Sequence, residues 1–177
     1  MFRSIALLVP VVAIAFSFPL LAQEAGYVDS PEKAAPVREE DANYFDAEGN
    51  PTFKIEQDGT VDWYTFSGYR RYHSTCHTCH GPDGEGSTVG PALVQSLKTM
   101  DYPTFLSIVA QGRKSSVGGK QSVMPAFGDN KNVYCYMDDL YVYLRARAVG
   151  GLPRGRPAKH APKPKSAAEY EEQCMGS

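Results

Sequence analysis

Apolar positions recur at helical spacing in the last third of the chain. The pattern predicts a helix from Val133 to about Ala148, with Asn132 as its N-terminal cap and Gly150-Gly151 at its end. The apolar stripe of this helix consists of Tyr136, Leu140, Tyr143 and Leu144. An amphipathic helix of this kind buries its apolar face against another element.

A second helix is predicted from Trp63 to about Ser74, because Asp62 is a favourable N-terminal cap. Gly68, Tyr72 and Cys76 recur at intervals of four residues, so they share one helix face. A glycine on that face has no side chain and lets another helix approach closely.

The rest of the chain carries weaker patterns. Short helices are predicted at about 92–98 and 102–111, the second ending at Gly112, and a loop at 113–122. A turn signal at 48–51 separates the short apolar segments 44–46 and 52–55 and predicts a hairpin. The two flanking segments have biased compositions: 23–42, rich in Ala, Glu and Pro, is expected to be mobile, and 152–168, rich in Pro, Lys and Ala, to be extended.

Charge is distributed unevenly along a chain of 177 residues, a length typical of one domain. The formal charge of -2 predicts that the protein does not bind nucleic acid. Residues 23–62 carry eleven acids and three bases, whereas residues 140–168 carry seven bases and no acid. This asymmetry either steers a charged partner or belongs to two solvated tails.

The N-terminus has the layout of a secretory signal. Arg3 provides a positive start, residues 5–16 are apolar apart from Pro10, and cleavage is expected after Ala22. An uncleaved membrane anchor is the alternative, although two prolines interrupt the apolar run. The signal predicts export to the periplasm, where disulfides persist.

The sequence Cys76-His77-Thr78-Cys79-His80 carries the most specific chemistry in the chain. Cysteines three apart share one face of a helical turn, so both thiols can form thioethers with one porphyrin, and His80 can bind its iron. The alternatives are a redox dithiol, half a zinc site and a structural disulfide. Neither a dithiol nor a disulfide needs His80, and a second zinc-ligand pair is not evident. The pattern predicts one covalent haem c.

The axial ligands follow from the segments after this motif. His80 is the expected first ligand, and the Pro91 carbonyl is expected to accept its other ring N–H. Met124 is the expected second ligand, because it lies 44 residues later in a Gly-bounded loop, just before Pro125. The competitors are Met100, Met137, Met175, His73, His77 and His160.

Two cysteines remain, and in an exported chain Cys135 and Cys174 are expected to pair. Their bridge would close a loop of about forty residues and stabilise the fold by at most about 4 kcal/mol. Free thiols, or an intermolecular bond through Cys174, are the alternatives.

Together these motifs make residues 62–148 resemble class I cytochromes c. The matching motifs are Gly68-x3-Tyr72-x3-Cys76, Cys76-x-x-Cys79-His80, Gly90-Pro91-x-Leu93, Met124-Pro125 and Leu140-x-x-Tyr143-Leu144. The resemblance implies an all-α fold in which the first and last helices cross, with Gly68 and Tyr72 meeting Leu140 and Tyr143. Outside this match the sequence predicts an acidic extension at 23–61 and a basic tail at 149–177, the tail held by the expected disulfide.

The four-cysteine layout, acidic extension and basic tail are more specifically similar to the methanol-metabolism-related c-type cytochromes. That resemblance implies a soluble, monomeric one-electron carrier rather than an enzyme. Its expected donor is a quinoprotein (PQQ-dependent) alcohol dehydrogenase, including lanthanide-dependent methanol dehydrogenases, and its acceptor a downstream cytochrome or oxidase. Two alternatives are a permanently bound cytochrome subunit and a ligand-binding or peroxidase haem protein.

Overall fold

The computed structural model describes residues 26–117 and 120–176. Its helices are α1 (Trp63–Arg71), α2 (His77–His80), α3 (Leu93–Ser96), α4 (Tyr102–Gln111), α5 (Lys131–Tyr134), α6 (Met137–Ala148) and α7 (Lys165–Met175). A π-helical turn (Tyr72–Cys76) joins α1 to α2, and a 3-10 turn (Pro82–Gly84) follows α2. The strands are β1 (Arg38–Glu40), β2 (Asn43–Phe45), β3 (Pro51–Thr52), β4 (Arg113–Val117) and β5 (Lys120–Met124). The predicted helical fold class is confirmed.

The first and last long helices, α1 and α6, pack against each other at a glycine. A Cβ atom added to Gly68 would lie 1.9 Å from the carbonyl oxygen of Asp139 and 2.7 Å from the Cβ of Tyr143. The rings of Tyr72 and Tyr143 lie 5.5 Å apart, and both side chains are fully buried. The crossing predicted from Gly68 is therefore present, and it holds the Cys76–His80 segment against the core.

The predicted start of α1 is correct, but α1 ends at Arg71 rather than near Ser74, and the predicted start of the last helix is wrong. The Asp62 carboxylate accepts a hydrogen bond from the Thr65 amide at 2.8 Å, which confirms the cap. The last helix is not continuous from Val133. Tyr136 leaves the helical conformation (φ -133°, ψ 22°), where its ring packs at 3.5 Å from the Arg71 guanidinium. This break separates a short α5 from α6.

Asn132 does not cap the last helix. Asn130 takes that role for α5, because its side chain accepts the Asn132 amide at 3.1 Å. The helix therefore begins at Lys131, two residues earlier than the predicted start at Val133.

The hairpin predicted around residues 48–51 is confirmed, since β2 and β3 pair with Tyr44 opposite Thr52. An additional strand, β1, pairs antiparallel with β2. The expectation that residues 23–42 are mobile is wrong for the part that the structure describes, because Asp29 and Ala34 are buried. The extension is packed onto the helical domain.

Arg145 of α6 is the residue that binds this extension. Its side chain is fully buried, with Nε 2.7 Å from Asp29 Oδ2 and Nη1 2.8 Å from Asp46 Oδ2. Backbone carbonyls of Pro51 and Lys33 accept further bonds at 3.2 and 3.4 Å. A buried guanidinium is tolerated only when its donors are matched in this way.

Arg145→Ala is expected to destabilise the fold by about 3–5 kcal/mol, because two buried carboxylates would lose their cation. Denaturant unfolding of the purified protein measures this difference. Arg38→Ala is the matched control, since Arg38 is exposed, pairs with Glu40 of its own strand and lies over the Phe45 ring at 4.0 Å without a buried carboxylate partner. Equal stabilities of the two variants would contradict the assigned role.

Two predicted irregular segments form regular structure. Residues 113–122 were predicted to be a loop, but β4 and β5 pair there in a hairpin, with Arg113 opposite Met124. The C-terminal segment, expected to be extended over 152–168, ends in helix α7 from Lys165. Before α7 begins, the tail crosses α1, where the centroids of the His160 and Phe66 rings lie 3.7 Å apart in a stacked arrangement.

The disulfide between Cys135 and Cys174 is present, as predicted. It joins the start of the last helical region to α7, and Lys131 Nζ adds a bond to the Met175 carbonyl at 3.1 Å. None of the helices in the described residues is long and apolar enough to span a membrane. The predicted signal segment, 1–22, lies outside the described residues.

Asp139 is a buried carboxyl group on α6, and it makes stability depend on pH. Burial raises the pKa of Asp139 to about 8 from 3.8. Since the folded protein binds this proton more tightly than the unfolded chain, stability falls as pH rises from about 4 to about 8.

Asp139→Asn is expected to remove this dependence of stability on pH. The variant's gain in unfolding free energy over wild type should be at least about 1 kcal/mol larger at pH 8 than at pH 5. Urea unfolding at the two pH values measures the difference. Asp129→Asn, at an exposed position, is the control. Its free energy of unfolding should differ from that of wild type by the same amount at pH 5 and at pH 8. A pH-independent effect of Asp139→Asn would refute the assignment.

Candidate haem site

The two cysteines of the motif lie where the π-helical turn meets α2. Cys76 ends the π turn and is partly buried, and Cys79 lies within α2 and is exposed. Both are free thiols, not joined to each other. Burial raises the pKa of the Cys76 thiol to about 11. A redox dithiol has a lowered pKa, so the environment of Cys76 disfavours that alternative.

The His80 imidazole is fixed by the loop that follows it. His80 is 8% exposed, and its Nδ1 lies 3.0 Å from the Pro91 carbonyl oxygen. A carbonyl oxygen only accepts, so Nδ1 donates and Nε2 keeps its lone pair for a metal. The predicted contact between Pro91 and His80 is therefore present. It orients the ring and increases its basicity.

Glycines allow the backbone to close around this histidine. A Cβ atom on Gly90 would lie 2.6 Å from the Cys79 carbonyl oxygen and 3.0 Å from His80 Nδ1. Gly81 ends α2 with φ 72°, a conformation that favours glycine, and its carbonyl accepts the Tyr72 hydroxyl at 2.6 Å. The buried Tyr72 thus links α1 to the residue after His80.

Met124 lies at the end of β5, where the hairpin returns to the core. Its side chain is partly buried and packs against the hydrophobic core. Gly112 lies close beneath it, because a Cβ there would approach the Met124 carbonyl oxygen to 2.6 Å. The Phe127 amide bonds the Val109 carbonyl at 3.0 Å and ties the segment to α4. The hairpin therefore fixes the backbone that presents Met124.

The competing ligands are engaged elsewhere or face solvent. His73 Nδ1 binds the Tyr69 carbonyl at 2.9 Å, and His77 and His160 are exposed. Met100 and Met137 pack against the core. Met124 packs against the same core, and its role as the second ligand stays a prediction.

Sequence reasoning missed one residue of this region, Asp83. It is 6% exposed and adopts a left-handed conformation with φ 58° in the 3-10 turn after His80. The Pro82-Asp83-Gly84 sequence marks a turn, which was the available signal. The burial of the carboxylate follows from its neighbours on α6 and in the tail, which no local pattern shows.

These residues fit a covalently attached haem. Two thiols one helical turn apart match the two thioether bonds, and an imidazole with a free Nε2 and a thioether match the usual axial donors of an electron-transfer iron. Among the described residues, no group of three or more His, Cys, Asp or Glu side chains is arranged to hold a bare metal ion.

Comparison with known proteins agrees with this chemistry. Residues 66–144 match the family model described as cytochrome c oxidase, cbb3-type, subunit III. The chain is 54% identical to cytochrome c-553I of Paracoccus denitrificans over 140 residues, 79% of this chain and 62% of that protein. It is 40% identical to cytochrome c-555 of Methylococcus capsulatus over 96 residues, 54% of this chain and 72% of that protein.

A solved structure is also similar. The crystal structure of c-type cytochrome XoxG from Methylobacterium extorquens AM1 superposes with a TM-score of 0.75 at 51% identity. The match covers 85% of this chain and 98% of that one. With the free Cys76 and Cys79 thiols and the oriented His80, these similarities show that the chain belongs to the class I c-type cytochromes, electron carriers that hold a covalent haem c.

Proposed function

We propose that this protein is a periplasmic monohaem cytochrome that accepts single electrons from a PQQ-dependent methanol dehydrogenase. It passes them to a downstream cytochrome or oxidase of the respiratory chain. The observation that carries the proposal is the contact between His80 and the Pro91 carbonyl, which fixes one axial donor. The four-cysteine layout, acidic extension and basic tail support this choice of donor, through the resemblance to methanol-metabolism-related cytochromes.

In this proposal Cys76 and Cys79 hold the haem through thioether bonds, and His80 and Met124 are its axial ligands. The haem supplies a one-electron Fe(III)/Fe(II) couple. The Pro91 carbonyl strengthens His80 as a donor, whereas the Met124 thioether favours the reduced state. With both axial positions filled by side chains, no substrate binds the metal. The protein carries electrons and transforms no substrate.

The packing around the motif suits this role. The π turn, α2 and the loop after His80 are bound to α1 and α6 by the buried Tyr72 and Tyr143 side chains. A ligand set held by such rigid packing moves little when the iron changes its charge. Fast electron transfer requires small structural changes of this kind, and the packing therefore supports a carrier.

Export to the periplasm is part of the proposal. The signal pattern of residues 1–22 supports it, with cleavage after Ala22. The disulfide between Cys135 and Cys174 supports it as well, because such bonds persist outside the reducing cytoplasm. The mature protein is proposed to be a soluble monomer.

Stopped-flow mixing of the ferric protein with a purified quinoprotein methanol dehydrogenase and methanol tests the donor. We expect second-order reduction of the haem, with a rate that changes with ionic strength, since both ends of the chain carry uneven charge. The same mixture without methanol is the control. If no reduction occurs while a small-molecule reductant still reduces the haem, the assigned donor is wrong and the carrier function stands.

A permanently bound cytochrome subunit is the second candidate. The match of residues 66–144 to a family described as an oxidase subunit favours it. Gel filtration of the cytochrome, alone and mixed with the dehydrogenase, separates the two. A free carrier elutes as a monomer in both runs at moderate salt, whereas a bound subunit co-elutes with its enzyme.

A further inference from the structure

Asp83 is a buried carboxylate that the proposed function leaves without a role. It lies three residues after His80, in the 3-10 turn that closes the loop. Its residue is 6% exposed. An ionised carboxylate is costly to bury unless cations or hydrogen-bond donors compensate for lost hydration. The groups that face Asp83 therefore decide how much of its charge remains effective.

Three side chains from three elements face this carboxylate. The Tyr143 hydroxyl of α6 donates to Oδ1 at 3.4 Å, and His73 Nε2 lies 3.5 Å from Oδ1. Arg154 Nε, in the tail, lies 3.6 Å from Oδ2, and its side chain is 64% exposed. Burial, and after it the Asp83 carboxylate, raises the pKa of Tyr143, which therefore remains a donor.

These contacts neutralise Asp83 only in part. Charge-assisted bonds between a cationic nitrogen and a carboxylate are typically about 2.7–2.9 Å long. The Arg145 pairs with Asp29 and Asp46, at 2.7 and 2.8 Å, meet that range. The His73 and Arg154 contacts are longer, and solvent screens Arg154. Asp83 consequently retains negative charge in a region with little water.

The carboxylate is also close to the proposed iron ligand. Three virtual bonds of about 3.8 Å limit the separation of the Asp83 and His80 Cα atoms to about 11 Å. The imidazole with its metal bond adds about 6–7 Å and the Asp83 side chain about 3–4 Å, so the carboxylate and the iron would lie at most about 21 Å apart. At that distance, with an effective dielectric constant of about 20, Coulomb's law gives at least about a fourfold change in a one-electron equilibrium constant. Oxidation adds one positive charge at the metal that His80 binds, and a nearby negative charge stabilises it.

We propose that the Asp83 carboxylate, held by Tyr143, His73 and Arg154, lowers the reduction potential of the haem by stabilising the oxidised state. Asp83 is a positioning and tuning residue: it touches neither partner nor iron. The proposal rests on the proposed ligation of the iron by His80. It does not depend on the identity of the electron donor.

Asp83→Asn tests the proposal, because it removes the charge with little change in volume. Potentiometric titration of the purified holoprotein, followed by its visible spectrum, measures the effect. We expect the equilibrium constant for reduction to rise by at least about fourfold, or about 35 mV. Glu85→Gln is the matched control: Glu85 lies in the same loop, but its side chain is 39% exposed. Its shift should be less than about a third of that of Asp83→Asn, since water screens an exposed charge.

An unchanged potential in a folded Asp83→Asn variant would overturn the proposal, and so would an equal shift in Glu85→Gln. If Asp83→Asn does not yield holoprotein, Arg154→Gln replaces it. That variant leaves the carboxylate in place and removes a cation, so the equilibrium constant for reduction of the haem should fall by about twofold. An unchanged potential in this variant overturns the proposal. A wild-type spectrum without histidine–methionine ligation would instead contradict the proposed ligands.

Discussion

Replacing Met124 with alanine is expected to lower the reduction potential of the haem and to open the iron to added ligands. The thioether favours Fe(II), and its loss leaves a vacant or water-filled axial position. We expect the reduction equilibrium constant to fall by more than about tenfold, or about 59 mV. Loss of the weak far-red band of the ferric protein, and carbon monoxide binding by the reduced protein, report the same change.

Met100→Ala is the matched control for this substitution. Met100 is partly buried and packs against the same hydrophobic core, so its loss leaves a similar void without touching the proposed ligand. Its visible spectrum should match that of wild type. A Met124→Ala variant with an unchanged spectrum would exclude Met124 as a ligand. Carbon monoxide binding by wild type would argue against a closed six-coordinate carrier.

Gly68→Leu is expected to prevent the fold from forming. The added Cβ would lie 1.9 Å from the Asp139 carbonyl oxygen, so the α1 and α6 backbones must separate. Separation would expose the buried Tyr72 and Tyr143 rings and release the motif from the core. We expect a loss of more than about 5 kcal/mol, which exceeds most single-residue effects. The yield of covalent holoprotein and its far-ultraviolet circular dichroism measure the outcome.

Two glycine substitutions calibrate that result. Gly68→Ala adds the same Cβ without further atoms and should give a smaller but clear loss of stability. Gly26→Ala adds a methyl group where no atom lies within 4 Å, and it should have almost no effect. A stable Gly68→Leu holoprotein would show that α1 and α6 do not require close approach at this point.

Local motifs were sufficient for the chemistry of the site. The covalent attachment pattern, the Pro91 acceptor and the Asp62 cap each depend on a few neighbouring residues or on a fixed donor and acceptor. The close approach at Gly68 could also be predicted, because the absence of a side chain is visible in the sequence. The disulfide prediction required only two remaining cysteines and the expectation of export. The Pro91 contact, the Asp62 cap, the approach at Gly68 and the disulfide agree with the structure.

Other elements depend on partners distant in the chain. The break at Tyr136 lies where its ring packs on the Arg71 guanidinium, and helical periodicity alone predicted an unbroken helix there. Residues 23–42 have a composition typical of a mobile segment, yet Asp29 is buried by its pair with Arg145. The composition of the segment shows that it has few apolar residues, but it cannot show that a cation 116 residues away in the sequence pairs with Asp29.

The sequence by itself therefore determined that the protein is a cytochrome with a covalent haem c, for which Cys76–His80 is the predicted attachment site, and that a helix carrying Gly68 brings this segment to the core. The tertiary structure alone decided the packing of the extension and the tail, and the burial of Asp83 behind His80. The reason is physical: covalent attachment and axial ligation need specific atoms at short spacing. Burial of a charge depends on groups that meet only when α1, α6 and the tail have packed together.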